Sequence, residues 1–408
     1  MNQFFKVKTL EEVMEQVKDF SSVESETISV FDAFSRVLAE NLRAKKDLPG
    51  FRRATMDGYA VAASSTFGAS ESTPAWLDIA GTVSMGDIPE FTVEAGKAVK
   101  ISTGGMLPKG ADSVVMVEHT ELIDDRSVEI YKSVAPLQNV IEASEDFAEN
   151  ETVLAEGTFI RPQEEGLAAG LGFSKIRVYK RPRVGIISTG DEIVPIEEEP
   201  LPGKIRDINS YTLSGFIREA HAEPVCYGIV KDDPAALKKA FEKALEETDM
   251  VIISGGSSVG TRDFTIDVIS SLPDAEILAH GMSISPGKPT ILARAGKKPV
   301  WGLPGQVVSA MVVLKIVVIP FLNRLKGLDD RDRTIRVPAI LSRNIASAQG
   351  RREFIRVLLE HQAGRIIAKP VLGKSGLIRT MIHADGLLEI GDHVEGLEKG
   401  SFVDIILL

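Results

Sequence analysis

The sequence of 408 residues contains a single cysteine, Cys226. One thiol excludes an intrachain disulfide framework and a CxxC metal motif, and it fits a reducing compartment. Histidine is also scarce, since the six histidines are scattered and none has the HExxH spacing of a zinc site. The sequence therefore predicts neither a disulfide scaffold nor a zinc centre.

Basic residues are outnumbered by acidic ones. Lysine and arginine total 47 against 58 aspartates and glutamates, which gives a net charge of −11. A broad nucleic-acid footprint needs clustered basic residues, so no nucleic-acid partner is expected. Any anion that the protein binds is expected to be held locally.

Long hydrophobic runs are absent as well. The longest, Met311 to Leu322, is interrupted by Lys315 and Pro320 and is shorter than a membrane span requires. The N-terminus, MNQFFKVKTLEEVMEQV, carries Glu11 and Glu12 where a signal peptide continues its apolar region. We therefore expect a cytoplasmic protein without a membrane partner.

The hydrophobic pattern changes along the chain. Apolar residues from Leu10 to Phe20 repeat with helical period behind a Thr9/Glu12 capping box. Short alternating runs from about residue 48 to 147, among them AVKIS and SVVMVEH, predict a small β-module, and residues 163–172 predict a helix.

The central region has a different pattern. Between Arg183 and Gly327 the apolar runs VGIIS, EPVCYGIV and MVIISGG alternate with helical stretches such as DPAALKKAFEKALEE. This alternation predicts parallel strands with crossover helices. After a charged linker, DDRDR, the runs FIRVLLE, RIIAKP and FVDIILL predict a second β-module. The fold class is thus a multidomain combination of α/β and β.

Two glycine-bearing loops follow predicted parallel strands: STGDE (188–192) and SGGSSVGTRDF (254–264). Ligands of such folds bind at the carboxyl ends of the strands, and exposed N–H groups with serine hydroxyls can surround a phosphate. Neither loop is a Walker A or a GxGxxG sequence. A mononucleotide or another phosphorylated ligand fits, and so does a tight loop that only serves packing.

Carboxylates occur at the same predicted edge, at Asp191, Glu192, Asp232, Asp233 and Asp263. They would repel a phosphate unless a divalent cation lay between them, and Mg²⁺ prefers such oxygen ligands. Asp232 and Asp233 have a structural alternative, because DDP is also a helix N-cap followed by proline. The two roles can coexist.

Rigid turns and glycine-rich segments supply further candidates. SPGKPT (285–290) fixes Lys288 as a point charge, and WGLPGQVVSA (301–310) leads into a helix whose N-terminus favours an anion, although a purely structural turn explains either stretch. ATMDGYAV (54–61) and ISTGGMLPKGADSVV (101–115) place Asp57 and Thr103 near turns, and scattered surface charge is the default interpretation of the arginines in GRREFIRV (350–357).

Taken in order, ATMDGYAV, STGGMLPKGADSVV, STGDEI, ISGGSSVGTRDF, SPGKP, GLPG with VSA, and GRREFIRV resemble the molybdopterin molybdenumtransferase family, called MoeA in bacteria and the gephyrin E domain in animals. The resemblance extends over essentially the whole chain. It implies a Mg²⁺-dependent transferase that inserts molybdate into adenylylated molybdopterin and releases AMP. It also implies a homodimer whose active site lies between the α/β domain of one subunit and parts of the other.

The resemblance further implies a domain plan with a central MogA-like α/β domain. The expected parts are an N-terminal helix packing on the α/β domain (1–26), a linking α+β domain (27–47 and 147–178), a β-rich domain (48–146), the α/β domain with a parallel-rich sheet (179–328) and a C-terminal β-barrel-like domain (329–408).

Site residues follow from the same resemblance. The catalytic set is Glu192, Asp232, Asp263, Lys288, Asp57, Thr103 and Asp146, of which Glu192 and Asp263 hold the Mg²⁺. The pterin and its phosphate are bound by Gly190, Asp191, Ser254, Gly255, Gly256, Ser258, Gly260, Gly287, Pro304 and Gly305. Molybdate is bound by Lys288, Pro289, Ser309, Arg351 and Ser375.

The chain departs from the family pattern in three places. Ser285 stands where the family commonly has lysine, Gln306 and Val307 stand where it has asparagine and proline, and TGGM replaces TGA. The oxyanion pocket has one positive charge fewer, which could alter the choice between molybdate and tungstate, lower oxyanion affinity or mark a divergent paralogue.

Two alternatives remain at this point. The α/β domain could carry out the preceding adenylylation of molybdopterin, although the β-modules would then be superfluous. The chain could also be a non-catalytic molybdopterin-binding scaffold, as the missing lysine suggests. A MogA-type adenylyltransferase and molybdoenzyme chaperones are the candidate protein partners.

Overall fold

A computed structural model describes residues 7–255, 261–328 and 334–408, with the side chains of 261–264 left aside. The chain folds into two compact units. The first comprises residues up to Ala39, Gly157–Arg161 and Lys175–Leu408, and the second comprises Glu40–Glu156 and Pro162–Ser174. The predicted linker DDRDR lies outside the described residues.

The N-terminal segment contributes one short helix and one strand, α1 (Leu10–Glu15) and β1 (Ser25–Ser29). The predicted Thr9/Glu12 capping box is confirmed, because each side chain bonds the backbone N–H of the other residue. The α-helix ends earlier than predicted and continues as a 3₁₀ turn over Gln16–Asp19.

The second unit is rich in short strands. Its elements are β2 (Leu42–Arg43), β3 (Arg53–Ala54), β4 (Gly58–Val61), β5 (Ala75–Val83), β6 (Lys97–Ile101), β7 (Ser113–Met116), β8 (Thr120–Asp124), β9 (Ser127–Ile130), β10 (Val140–Ile141), β11 (Thr152–Leu154) and α2 (Pro162–Gly170). Six of the strands form one sheet in the order β7-β4-β6-β5-β9-β8. Its two faces bury separate apolar clusters, one around Val99 and the other around Val115.

The α/β region lies in the first unit. Its elements are β12 (Lys175–Tyr179), β13 (Arg183–Thr189), β14 (Ile193–Val194), β15 (Ile205–Arg206), α3 (Asn209–Glu219), β16 (Glu223–Val230), α4 (Pro234–Glu247), β17 (Met250–Gly255), α5 (Thr261–Ser270), β18 (Ala275–His280), β19 (Ile284–Ser285), β20 (Ile291–Ala295), β21 (Lys298–Leu303), α6 (Val307–Val313) and α7 (Ile319–Leu325). The sheet order is β16-β13-β17-β21-β20-β18, and the first four strands are parallel.

Register places the carboxyl ends of the parallel strands together. Thr189 at the end of β13 pairs with Val230 of β16 on one side and with Gly255 of β17 on the other. Loops that follow these strands must therefore meet at one edge of the sheet. The continuous apolar run of β13 is buried from Val184 onward, as expected for a central parallel strand covered on both faces.

Helices α6 and α7 form the centre of the main core. They are joined through a π turn over Leu314–Val318, which accommodates Pro320 in the first turn of α7. Trp301 packs edge-on against Phe321 at 4.9 Å, and Phe20 from the N-terminal segment contacts the same ring at 5.6 Å. Leu10 and Val13 of α1 belong to this cluster.

The continuous helix Val307–Leu325 is longer than the apolar run seen in the sequence. Its length and composition would suffice to cross a membrane, so the expectation that the run was too short is corrected. However, 61% of the relevant window is buried inside the protein. A core helix has this burial, and the packing of Phe321 and Leu322 within the main core agrees with that role.

The C-terminal region forms a closed barrel. Its elements are β22 (Arg336–Leu341), β23 (Ile345–Ala346), β24 (Arg352–Gln362), β25 (Arg365–Pro370), α8 (Arg379–Ile382), β26 (Gly386–Ile390), β27 (Gly396–Leu397) and β28 (Phe402–Leu407). The strand order is β24-β25-β22-β28-β26, and a further pairing of β26 with β24 closes the ring. Strand β19 of the α/β region adds to β24 from outside. The predicted fold class is confirmed.

Candidate active site

A pocket of about 590 Å³ opens where the α/β region meets the barrel. Four segments distant in sequence form most of its wall: the turn after β19, the start of α6, the residues before β24 and the loop after β25. The lining residues are Val7, Met282, Ser283, Ile284, Ser285, Pro286, Gly287, Lys288, Pro289, Pro304, Gln306, Ser309, Gln349, Gly350, Arg351 and Ser375. All five residues predicted to bind molybdate lie in this set.

The turn carrying Lys288 is held rigidly. Gly287 has φ +119°, and a Cβ at this position would lie 2.4 Å from Val313 Cγ2, so glycine is required. Buried Thr290 donates through Oγ1 to the Gly287 carbonyl at 2.6 Å. Lys288 itself is exposed, and no carboxylate in the described part of the chain pairs with it. Its charge is therefore available to a ligand in the pocket.

The start of α6 forms a second wall. Gln306 occupies the N-cap position without making a side-chain cap, and the Val308 N–H donates instead to the Ser375 carbonyl at 3.0 Å. The side chains of Gln306 and Ser375 are also in hydrogen-bond contact. Ser309 is only 4% exposed but lines the pocket, and it lies in the first turn of α6, near the positive end of the helix.

The arginines of GRREFIRV are not scattered surface charges, which corrects that interpretation. Arg351 lines the pocket, and its Nη2 lies 2.6 Å from Oε1 of Glu353, a side chain that is only 8% exposed. Arg352 pairs with Glu11 of α1 and, at 3.1 Å, with Glu389. Arg356 is buried, and this burial lowers the pKa of its guanidinium from the ordinary value.

An acidic edge, defined here as Asp191, Glu192 and Asp232, lies beyond the carboxyl ends of β13 and β16. Thr189 Oγ1 donates to Asp232 Oδ1 at 2.7 Å, and Asp191 Oδ1 accepts from the Asp232 N–H at 3.4 Å. The neighbouring Asp233 caps α4 by accepting from the Ala236 N–H at 2.7 Å. The capping alternative is thus correct for Asp233, whereas Asp232 faces the strand ends.

Glycines allow the backbone to fold closely over this edge. A Cβ on Gly255, which has φ +138°, would lie 1.8 Å from the Thr189 carbonyl oxygen. A Cβ on Gly190 would lie 2.8 Å from Glu192 Oε2, so the Glu192 carboxylate folds back over the loop. Any side chain at Gly255 would displace the start of the glycine-rich loop.

Asn209 links the two regions. Its Nδ2 donates to Ser254 Oγ at 2.7 Å and to the Gly305 carbonyl at 2.9 Å. The carbonyl fixes the orientation of the amide, because only a donor can face it. Asn209 therefore holds the end of β17 against the turn that leads into α6.

Of the two predicted Mg²⁺ ligands, Glu192 is among the described side chains. Across residues 7–255, 261–328 and 334–408, no three histidine, cysteine or acidic side chains form a metal-binding group. The carboxylates of the acidic edge are nevertheless the ligand type that suits Mg²⁺, which commonly uses one or two carboxylates together with water and substrate phosphate. Gly256, Ser258, Gly260 and the Asp263 side chain lie outside the described residues.

Three predicted residues lie in the second unit. Asp57 Oδ1 accepts hydrogen bonds from the Thr103 N–H at 2.6 Å and from Thr103 Oγ1 at 3.0 Å. These bonds, the backbone one above all, hold the pKa of the exposed Asp57 carboxyl below its ordinary value. Asp146 is exposed, and its N–H donates to the Leu48 carbonyl at 3.1 Å.

Comparison with known families accounts for nearly the whole chain. The MoeA N-terminal region (domain I and II) matches residues 8–172, a probable molybdopterin binding domain matches 185–324, and the MoeA C-terminal region (domain IV) matches 338–408. The chain belongs to the MoeA family. The predicted recognition and the predicted transferase class are both confirmed.

Individual MoeA relatives are similar to this chain over nearly their full length. A molybdopterin biosynthesis protein of Methanocaldococcus jannaschii is 40% identical over 93% of this chain and 92% of its own. A molybdopterin molybdenumtransferase of Bacillus subtilis is 30% identical, with 94% and 90% covered. The crystal structure of the molybdopterin biosynthesis protein MoeA from Pyrococcus horikoshii superimposes with a TM-score of 0.85 at 33% identity, covering 99% and 100% of the two chains.

Three residues near the pocket or the strand ends were not among the predicted site residues. Asn209 and Thr189 act through contacts between strand ends, and Arg356 is buried behind the pocket. The only available signal was the position of Thr189 and Asn209 next to predicted strand and helix ends. Nothing in the local pattern around Val7 indicated that it would line the pocket.

Proposed function

We propose that this chain inserts molybdate into adenylylated molybdopterin and releases AMP, with Mg²⁺ required. The observation that carries the proposal is the single pocket that gathers Lys288, Ser309, Arg351 and Ser375. A tetrahedral oxyanion needs one or two fixed cations together with hydroxyl and backbone donors. Lys288, with which no carboxylate of the described residues pairs, supplies the cation, and the two serines with the α6 N-terminus supply the donors.

The pterin end of the substrate is assigned to the strand ends. Gly190, Ser254 and Gly255 present backbone at this edge, and Asn209 ties Ser254 to the turn of the oxyanion pocket. Glu192 and Asp263 are proposed to hold the Mg²⁺, with Asp232 beside them. When bound there, the ion would neutralise negative charge as AMP departs. Thr189 keeps the Asp232 carboxylate oriented toward the same edge.

The rest of the proposal concerns assembly and location. We propose a cytoplasmic homodimer in which Asp57, Thr103 and Asp146 reach the cleft of the other subunit. The domain edges given by the resemblance, and contacts with a MogA-type adenylyltransferase or molybdoenzyme chaperones, stay predictions.

The test is an AMP-release assay with purified protein, Mg²⁺, adenylylated molybdopterin and molybdate. We expect AMP release that depends on Mg²⁺ and is lost in Glu192→Ala. Release no greater than in that variant contradicts the proposal. Replacing the substrate by unmodified molybdopterin with ATP tests the alternative adenylyltransferase, which would form pyrophosphate.

The same assay addresses the scaffold and the choice of oxyanion. A scaffold would bind the pterin substrate in titration without releasing AMP. Parallel titrations with molybdate and tungstate give the preference, because both anions are tetrahedral and carry the same charge.

A further inference from the structure

Arg356 of β24 is a buried cation. The residue is 6% exposed, and no carboxylate in the described part of the chain pairs with it. Nη2 donates to the Gly373 carbonyl at 2.7 Å, whereas the buried Nε has no partner. Burying an unpaired charge destabilises a fold, so a role outside stability is the natural explanation.

Arg356 is connected to the oxyanion pocket through hydrogen bonds to the loop that carries Ser375. The Arg356 carbonyl accepts from the Val371 N–H at 2.8 Å, so the same residue holds both Val371 and Gly373 of the loop after β25. Two residues further on, Ser375 enters the pocket wall and contacts α6 through its carbonyl and its hydroxyl. Arg356 therefore holds this loop in place through two hydrogen bonds.

The positive charge of Arg356 is also relevant, because the pocket wall itself contains few cationic side chains. Arg351 is paired with Glu353, and Lys288 is the one lysine in the pocket wall. Ser285, which also lines the pocket, is neutral. Arg356 bonds Gly373, two residues before Ser375, and is itself shielded from water, so its charge is screened less than that of an exposed side chain.

We propose that Arg356 is a positioning residue for the oxyanion pocket, which fixes Ser375 through Gly373 and adds an unneutralised positive charge behind it. This inference rests on the proposed function of the pocket as an oxyanion site. It assigns to the barrel strand β24 both the orientation of a pocket hydroxyl and part of the pocket's positive potential.

The experiment compares Arg356→Met, Arg356→Lys and the control Arg324→Met in the full chain. Arg324 is matched because its guanidinium also donates to a backbone carbonyl, from Nε to that of Phe20 at 3.0 Å, and because Arg324 does not line the pocket. Sodium molybdate is titrated calorimetrically, and the thermal midpoint of each variant is measured.

We expect Arg356→Met to weaken molybdate binding about tenfold, because a unit charge that does not contact the anion contributes much less at an effective dielectric of about 20 than one in direct contact. Its thermal midpoint should be unchanged or higher, because replacing a buried charge by an apolar side chain is often neutral or stabilising. Arg356→Lys should lie between Arg356→Met and wild type, and Arg324→Met should bind molybdate normally. In turnover, Arg356→Met should raise KM for molybdate much more than it lowers kcat.

Three results would overturn the inference: wild-type molybdate affinity in Arg356→Met, an equal loss of affinity in Arg324→Met, or a loss of affinity that appears only with a lowered thermal midpoint. Combining Arg356→Met with Ser375→Ala gives a further test, because additive losses would exclude action through Ser375. If wild type binds molybdate but releases no AMP, the proposed function fails and the inference stands. If wild type binds no molybdate, both fail.

Discussion

The oxyanion pocket and the acidic edge lie in the same unit but are built in opposite ways. The pocket gathers segments from residue 282 to residue 375 and presents Lys288, hydroxyls and a helix N-terminus. The acidic edge comes from the ends of adjacent parallel strands and presents Asp191, Glu192 and Asp232. The pocket suits an anion directly, whereas the acidic edge suits an anion only when a divalent cation lies between the carboxylates and that anion.

Under the proposed function, this difference would let one chain bind two anionic substrates, molybdate in the pocket and the phosphate of the pterin substrate at the strand ends. A bare oxyanion finds hydrogen-bond donors and positive charge in the pocket, while a phosphate at the strand ends must share space with carboxylates. Asn209 connects the regions through Ser254 and Gly305. Apart from this link the two regions are built from different segments, so they can be perturbed separately, and the predictions below use that.

The largest effects are expected from one glycine in each region. Gly287→Ala and Gly255→Ala should each reduce the free energy of unfolding by about 2 to 4 kcal/mol, because each adds a Cβ in a strained conformation against close neighbours. Urea unfolding measures this. Gly287→Ala should mainly weaken molybdate binding, and Gly255→Ala should mainly impair the pterin end.

A third glycine provides the control. Gly215 lies in α3 with nothing within 4 Å of its added Cβ. Gly215→Ala should stabilise the chain by about 0.5 to 1 kcal/mol, as expected for alanine within a helix. Equal destabilisation by all three substitutions would contradict the assigned contacts.

The next effect concerns the pocket charge. Lys288→Met should weaken molybdate binding about 10- to 100-fold, the range for a hydrogen bond to a charged group, without reducing stability. The matched control is Lys297→Met, which removes an exposed lysine in the turn between β20 and β21. Calorimetric titration of both variants distinguishes the effect of a charge in the pocket on molybdate affinity from the effect of the net charge of the chain. A similar loss in Lys297→Met would count against the pocket.

A smaller change of opposite sign is expected at Ser285. Ser285→Lys places a second free cation in the pocket wall and should tighten molybdate binding up to about tenfold. The gain should decrease with added salt, because the new charge is partly exposed. Unchanged affinity at low salt would show that the count of charges does not control this pocket.

The smallest effect is expected at Asp57. Like Asp232, this carboxylate accepts a hydrogen bond from a threonine hydroxyl. Thr103→Val removes one of the two hydrogen bonds to Asp57 and should raise the pKa of that carboxyl toward its ordinary value. Stabilisation from these bonds is complete above the ordinary pKa and is lost as the pH falls through the lowered one. NMR titration of Asp57 reads the shift directly, and an unchanged pKa would show that the backbone bond alone sets it.

The sequence was informative where function depends on local pattern. Alternating apolar runs and helices predicted the parallel sheet, and the rigid SPGKPT and WGLPG turns predicted two pocket walls. The resemblance added Arg351 and Ser375, which no spacing argument could bring to Lys288. Asn209 and Arg356 were missed because their roles depend on contacts across β17, α6 and the loop after β25.

The N-terminal segment has a practical consequence. Val7 lines the pocket, and the Lys8 backbone bonds Gly281 and Ser283, which lead into the Lys288 turn. Substitution of Val7, or loss of the Lys8 backbone bonds, would therefore alter the pocket from a segment distant in sequence.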